Sequence, residues 1–214
     1  MTQAEGVIQF RLDYTPSAPH AAPEIGALDG WRSVLRRLGL IGQDAARYDG
    51  AGFGNLSARR PPHDAPPGSR RFVITGSQTG GLAALDGRHF ALVTAYDIAG
   101  NRVAAQGPIA PSSEALTHGM LYDLDAGIRC VMHVHAPEIW RRAAALGLPR
   151  TDPAAGYGTP AMAAEVARLH RESDLAARRL LVMGGHLDGV VSFGRDIDAA
   201  ATVLLTGLAR ALAR

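Results

Sequence analysis

Two histidines one residue apart, His133 and His135, close a run of strand-forming residues that begins at Ile128. Side chains at i and i+2 of a β-strand leave the same face. Their imidazoles can therefore converge on one metal ion at about 2.0–2.1 Å without distorting the backbone. A third candidate ligand, His186, lies in the segment GGHLDG between two strand-like runs. Glu114 opens a helical pattern just before the His-Val-His strand, so a helix packed against that strand can carry its carboxylate to the same place. Each of these has a plainer reading. A His-x-His pair is common in strands, a histidine in a glycine-rich turn is often only hydrogen-bonded, and an acid at a helix start offsets the helix dipole. His20, His63, His89, His118 and His170 are read as surface or packing residues, with His118 one turn beyond Glu114.

These side chains need elements to hold them. Weak alternation through Val7, Ile8, Phe10 and Leu12, ahead of the proline-rich stretch Pro16 to Pro23, predicts an edge strand or extended arm over residues 1–26. Asp29 is expected to cap a helix whose apolar stripe is Trp31, Val34, Leu35, Leu38 and Leu40. A glycine-rich turn over residues 50–59 leads into a strand, and a four-proline loop follows from Pro61 to Gly68. Strands are expected at Arg71 to Thr75, at His89 to Tyr96 and around Val103. Pro111-Ser112-Ser113-Glu114 should start a helix, with a serine as cap and the acid in its first turn. Further helices are expected at Glu138 to Leu146, Pro160 to Ser173 and Ile197 to Ala213, with short strands at Leu180 to Met183 and Val190 to Phe193. Strands interleaved with about five helices indicate a layered α/β domain over residues 27–214.

Composition narrows the chemistry. All 22 basic residues are arginine, so no lysine exists to form a Schiff base. Lysine-dependent aldolases, pyridoxal-phosphate enzymes and Walker-type NTPases are excluded, and a stabilised carbanion would need another electron sink. A net charge of +2 argues against a nucleic-acid partner. No run approaches the roughly 18 apolar residues of a membrane span. The opening MTQAEGVIQF has neither a basic nor an apolar leader region, so no secretory signal is expected. The single cysteine, Cys130, is read as a buried strand residue and suits a reducing, cytoplasmic setting.

Taken together, GNLS (54–57), ITGS (74–77), PSSE (111–114), HVHAPEIW (133–140), YGTPAM (157–162) and MGGHLDGVVSFG (183–194) resemble the class II aldolase/adducin family. The likeness is to its metal-dependent sugar-phosphate aldolase and epimerase branch, and it runs from about Leu28 to Leu212. It implies a three-layer α/β/α fold on a central, mostly antiparallel sheet. It also implies a divalent metal on His133, His135 and His186: zinc, with manganese, iron or cobalt as alternatives. Glu114 matches the family's catalytic carboxylate. Asn55, Thr75, Gly76, Ser112 and Ser113 match positions that bind the substrate's phosphate or an equivalent anion. Family members are usually homotetramers with sites at subunit interfaces, so a tetramer and a small-molecule substrate are expected here.

The implied reaction is lyase chemistry, an aldol-type C–C cleavage through a metal-stabilised enediolate of a small hydroxylated carbonyl or carboxylated compound. Epimerases, dehydratases and decarboxylases share that step. A non-haem iron oxygenase is a competing reading of HVHAPE, against which the helical periodicity weighs. A binding module like the adducin heads is another; those heads lack the ligand histidines. Departures from the aldolase pattern are the longer turn ITGSQTGG with Gln78 and Thr79, Ala154 and Ala155 where a proton-donating tyrosine would stand, and Leu187 after His186. Tyr157 is the candidate to replace that tyrosine, with a packing role as its alternative.

Overall fold

The computed structural model describes residues 6–213. An eight-stranded sheet runs through the middle of the chain. Its members are β1 (Arg11–Pro16), β4 (Asn55–Arg59), β5 (Phe72–Thr75), β6 (Phe90–Asp97), β7 (Arg102–Gly107), β8 (Cys130–His135), β9 (Leu180–Val182) and β10 (Gly189–Gly194). Their order is β1-β7-β6-β5-β4-β8-β10-β9, and every pairing is antiparallel except that of β1 with β7. A separate ribbon pairs β2 (Gly42–Gln43) with β3 (Gly52–Phe53). Among the described residues there are six α-helices, α1 (Ala22–Arg37), α2 (Ala115–Leu124), α3 (Pro137–Arg141), α4 (Pro160–Glu172), α5 (Leu175–Arg178) and α6 (Ile197–Leu212), and two single-turn 3-10 helices at Tyr48–Gly50 and Gly87–His89.

The period of two sorts the central strands into faces. On β8, Met132 and Val134 join Leu56, Val190 and Leu204 in one core, with apolar residues of α1, α3 and α6. Val131 turns the other way, into a second core with Phe72, Ile74, Val191 and residues of α2, α4 and α5. The fold is thus the three-layer α/β/α arrangement. Asn55 sits opposite His133 across the β4–β8 ladder, and Val191 opposite His133 across β8–β10. Hence the polar residues Asn55, Ser57, His133 and His135 all project into the α2/α4 layer.

Local expectations fail where a long-range partner decides. The first helix begins at Ala22, and Asp29 lies inside it, its carboxylate accepting the Leu85 N–H at 3.1 Å. Its buried face is Ile25, Leu28, Arg32 and Leu35, whereas Val34 and Leu38 are exposed. At the start of α2 the capping position belongs to Glu114, not to a serine. Ser112 Oγ accepts the Glu114 N–H at 3.4 Å, and the Glu114 carboxylate accepts the Thr117 hydroxyl within the helix. The helix expected to reach Leu146 ends at Arg141, and the chain then turns toward Gly147, whose φ is +61°. Residues 1–5 of the expected N-terminal arm lie outside the described residues.

Candidate metal centre

Strand β8 delivers His133 and His135 side by side, and the turn between β9 and β10 folds His186 back over them. The three ring centroids are 4.8–5.1 Å apart. One ligand nitrogen from each residue lies within 4.8 Å of the others, and all three residues are buried. Burial pushes the His133 and His135 imidazoles well below their ordinary pKa, and the neighbouring His186 adds to the effect. Both are therefore neutral at physiological pH, the form that donates a lone pair. His133 Nε2 is buried with no hydrogen-bond partner among the described residues. Leaving such a group unpaired costs about 1–3 kcal/mol, a cost that a coordinated ion would remove. Neutral nitrogens at this spacing, one of them unpaired, fit a borderline divalent cation.

The glycines of MGGH are needed for this turn. A Cβ on Gly184 would stand 2.1 Å from Thr151 O, and one on Gly185 would stand 1.9 Å from Ala155 O. Trp140 fixes the turn from α3, its indole N–H donating to Met183 O at 2.9 Å and to His186 O at 3.1 Å. Trp140→Phe keeps the ring but removes the donor. It is expected to weaken metal affinity about tenfold, as loss of an outer-shell partner commonly does, measured by competition with a chromogenic chelator.

Glu114 is 1% exposed, with Oε1 3.5 Å from His186 Nδ1 and Oε2 accepting the Thr117 hydroxyl at 2.8 Å. Asn55 Nδ2 is 3.1 Å from His133 Nδ1. An imidazole that binds an ion through Nε2 carries its proton on Nδ1. The Asn55 carboxamide, turned end for end, then presents Oδ1 to accept it. Tyr157 stacks its ring on His186 with centroids 4.6 Å apart, and its hydroxyl meets the Val7 backbone. Asn55, Gly76, Ser112 and Ser113 line a small polar recess beside the histidines, with Gly52, Gln78 and Gly80. Thr75 is not on its surface; its hydroxyl accepts the Leu56 N–H at 3.2 Å. Arg59 gives its guanidinium to Ala126 O and His63 O, and Arg141 is exposed, so neither lines the recess.

Other residues enter the site without having been anticipated. Tyr48 packs edge-on to His135 at 4.5 Å, and Phe53 lies 5.2 Å away on another side. Tyr48 donates to Asp188 Oδ2 at 2.7 Å and accepts from Arg47 at 2.8 Å; burial and Asp188 raise its pKa, so the phenol stays protonated. Beneath the histidines, Ser57 Oγ bridges His118 Nδ1 and the Tyr122 hydroxyl, each at 2.6 Å. Burial drops the His118 pKa from 6.5 to about 3. The unfolded chain takes up this proton near pH 6.5 and the folded one only near 3, so stability present above 6.5 is lost as pH falls through that window. The urea midpoint is expected to drop between pH 6.5 and pH 3, less steeply in His118→Asn than in the native chain.

Comparison with known proteins places this architecture. Residues 43–207 match the family described as Class II Aldolase and Adducin N-terminal domain, and the chain belongs to it. Among solved structures, an L-fuculose 1-phosphate aldolase aligns with a TM-score of 0.64 at 19% identity, covering 90% of this chain and 84% of that one. The L-fuculose-1-phosphate aldolase from Thermus thermophilus gives 0.59 at 22%, covering 89% and 91%. A sugar-phosphate aldolase from Thermotoga maritima gives 0.64 at 15%, covering 88% and 92%. At these identities the likeness establishes the fold. No curated protein sequence matches the chain.

Proposed function

We propose that this chain is a metal-dependent lyase that breaks a C–C bond in a small hydroxylated carbonyl or carboxylated substrate. The observation that carries the reading is the convergence of His133, His135 and His186 with the Glu114 carboxylate against one of them. His133, His135 and His186 would hold a divalent ion through neutral imidazoles, and that ion would supply Lewis-acid polarisation of a substrate carbonyl. Everything else is asked of the protein. Glu114, held by Thr117 and shut away from water, carries the proton at its Oε1. Asn55 fixes the tautomer of His133. Ser112 and Ser113 offer hydroxyls to an anionic end of the substrate. Tyr157 keeps His186 in plane by stacking, and the same reading leaves its hydroxyl as a candidate proton donor.

Zinc as the ion, a homotetramer with sites at subunit interfaces, and a cytoplasmic setting go with this reading and are supported by family membership. Epimerisation, dehydration or decarboxylation on the same scaffold is the alternative, because each begins at a polarised carbonyl. The test has two parts. Elemental analysis of protein purified without added metal is expected to find about one divalent ion per chain. The loaded protein is then offered hydroxylated ketoses and keto acids, while aldehyde and carbon dioxide release are followed. Uptake of no zinc, manganese, iron or cobalt would overturn the reading and leave a binding module.

A further inference from the structure

At the β9 edge of the sheet, a groove of about 290 Å³ opens between α6, α5 and the loop that follows α3. None of the residues of the histidine centre lines it. Its volume stands at the small end of the roughly 300–1,000 Å³ usual for small-molecule pockets. The floor is Leu180, 3% exposed, and α6 rides directly on it: a Cβ on Gly207 would stand 2.6 Å from Leu180 Cδ2. Leu146 and Leu148 form one wall. The other is a stripe of α6 in which Thr202, Val203, Thr206 and Arg210 recur at the three- and four-residue steps of a helix face. Both leucines and Val203 are only partly buried, so apolar surface is left facing the groove.

Two arginines border this apolar space, and no acidic residue does. An arginine in the last turn of a helix ordinarily meets the terminal carbonyls. In α6 those of Ala211 and Ala213 are taken by Arg142 Nη1, each at 2.8 Å. Arg210 is left without a hydrogen bond or ion pair among the described residues. The second cation, Arg178, donates through Nε to Asp174 one turn earlier. Its Nη2 lies beside Gly147, where an added Cβ would stand 3.5 Å from it. Gly147 separates Leu146 from Leu148 in the chain, so this edge of the guanidinium rests against the leucine wall. One carboxylate for two guanidiniums leaves the groove net positive.

Such a lining selects a molecule with two unlike ends. A bare inorganic anion would leave the leucines and Val203 in water, and a neutral hydrocarbon would leave Arg210 without a counter-charge. We infer that the groove is a binding site for a small carboxylate with an aliphatic or aromatic tail, the tail laid over Leu180 and the carboxylate held by Arg210. Thr206, one turn before Arg210 on the same stripe, offers a hydroxyl beside it. The site is separate from the metal centre and stands whether or not the chain is a lyase.

The test is calorimetric titration of the full-length chain with hexanoate, acetate and 1-hexanol. Acetate lacks the tail and hexanol the charge. The native protein is expected to take up hexanoate at a single site, tighter than either of the others by about tenfold or more. Arg210→Ala, at an exposed position, should weaken hexanoate about fivefold and leave hexanol unchanged. Thr206→Trp, also exposed, fills the groove without touching the core and should abolish hexanoate binding, with zinc content as in the native chain. Acetate or hexanol bound as tightly as hexanoate would overturn the proposal. So would hexanoate binding that survives Thr206→Trp or vanishes with the zinc, since the ligand would then sit at the histidines. An oligomer that Thr206→Trp dissociates, with no hexanoate bound, would assign the groove to a second copy of the chain and overturn it equally.

Discussion

Replacing His133 by alanine is expected to strip the protein of its metal and, with it, of turnover. Structural zinc sites bind with apparent energies of about 10–16 kcal/mol spread over four ligands, or roughly 3 kcal/mol for each. Loss of one imidazole should therefore raise Kd by about two powers of ten or more. His133 also holds the Asn55 carboxamide, so its removal loosens the orienting partner along with the ligand. The strand itself should survive. Val131, Met132 and Val134 keep β8 packed on both faces, and its ladders to β4 and β10 do not involve the imidazole. The checks are metal-to-protein ratio by mass spectrometry and thermal unfolding by circular dichroism. Stoichiometric metal in a folded His133→Ala protein would show that the ligands lie elsewhere.

The second large effect is expected at Glu114. Glu114→Gln preserves shape and the contact with Thr117, and removes the basic oxygen 3.5 Å from His186. A positioned proton carrier contributes about 10²–10⁴ in rate. Turnover should fall by that factor, with KM nearly unchanged and metal content intact. Two outcomes count against the assignment. Activity within tenfold of the native enzyme would move the proton transfer to another group, Tyr157 being the next to try. Loss of the metal together with activity would make Glu114 a ligand.

Much of this site could be read before any coordinates because its chemistry is written in local periods. The i, i+2 spacing of His133 and His135 needs only a strand to put both on one face, and the run ending there could be little else. Pro111 to Glu114 marks a helix start by turn chemistry alone. His186 needed the longer comparison of motifs, since a histidine among glycines has no period to place it. What stayed hidden depends on contacts far apart in the chain. Arg32 looks like any solvated cation on a helix, and only the carbonyls of residues 79–82, some fifty positions on, explain its burial. Asp29 reads as a helix cap until Leu85 claims its carboxylate. Tyr48 and Phe53 belong to a turn and a two-residue ribbon, too short to show which way an aromatic ring will face. Glu114 takes the cap position in place of the expected serine, and its carboxylate lies between Thr117 of its own helix and His186, which is some seventy positions on.

Asn55 touches both the centre and the recess, and this ties two equilibria together. Its carboxamide can offer an oxygen to one side only by offering its NH2 to the other. Were His133 to hold an ion through Nε2, its Nδ1 would carry the proton, the Asn55 oxygen would accept it, and the NH2 of the same amide would be left for the recess. Any coupling between the two places would then act equally in both directions, through a single rotatable amide.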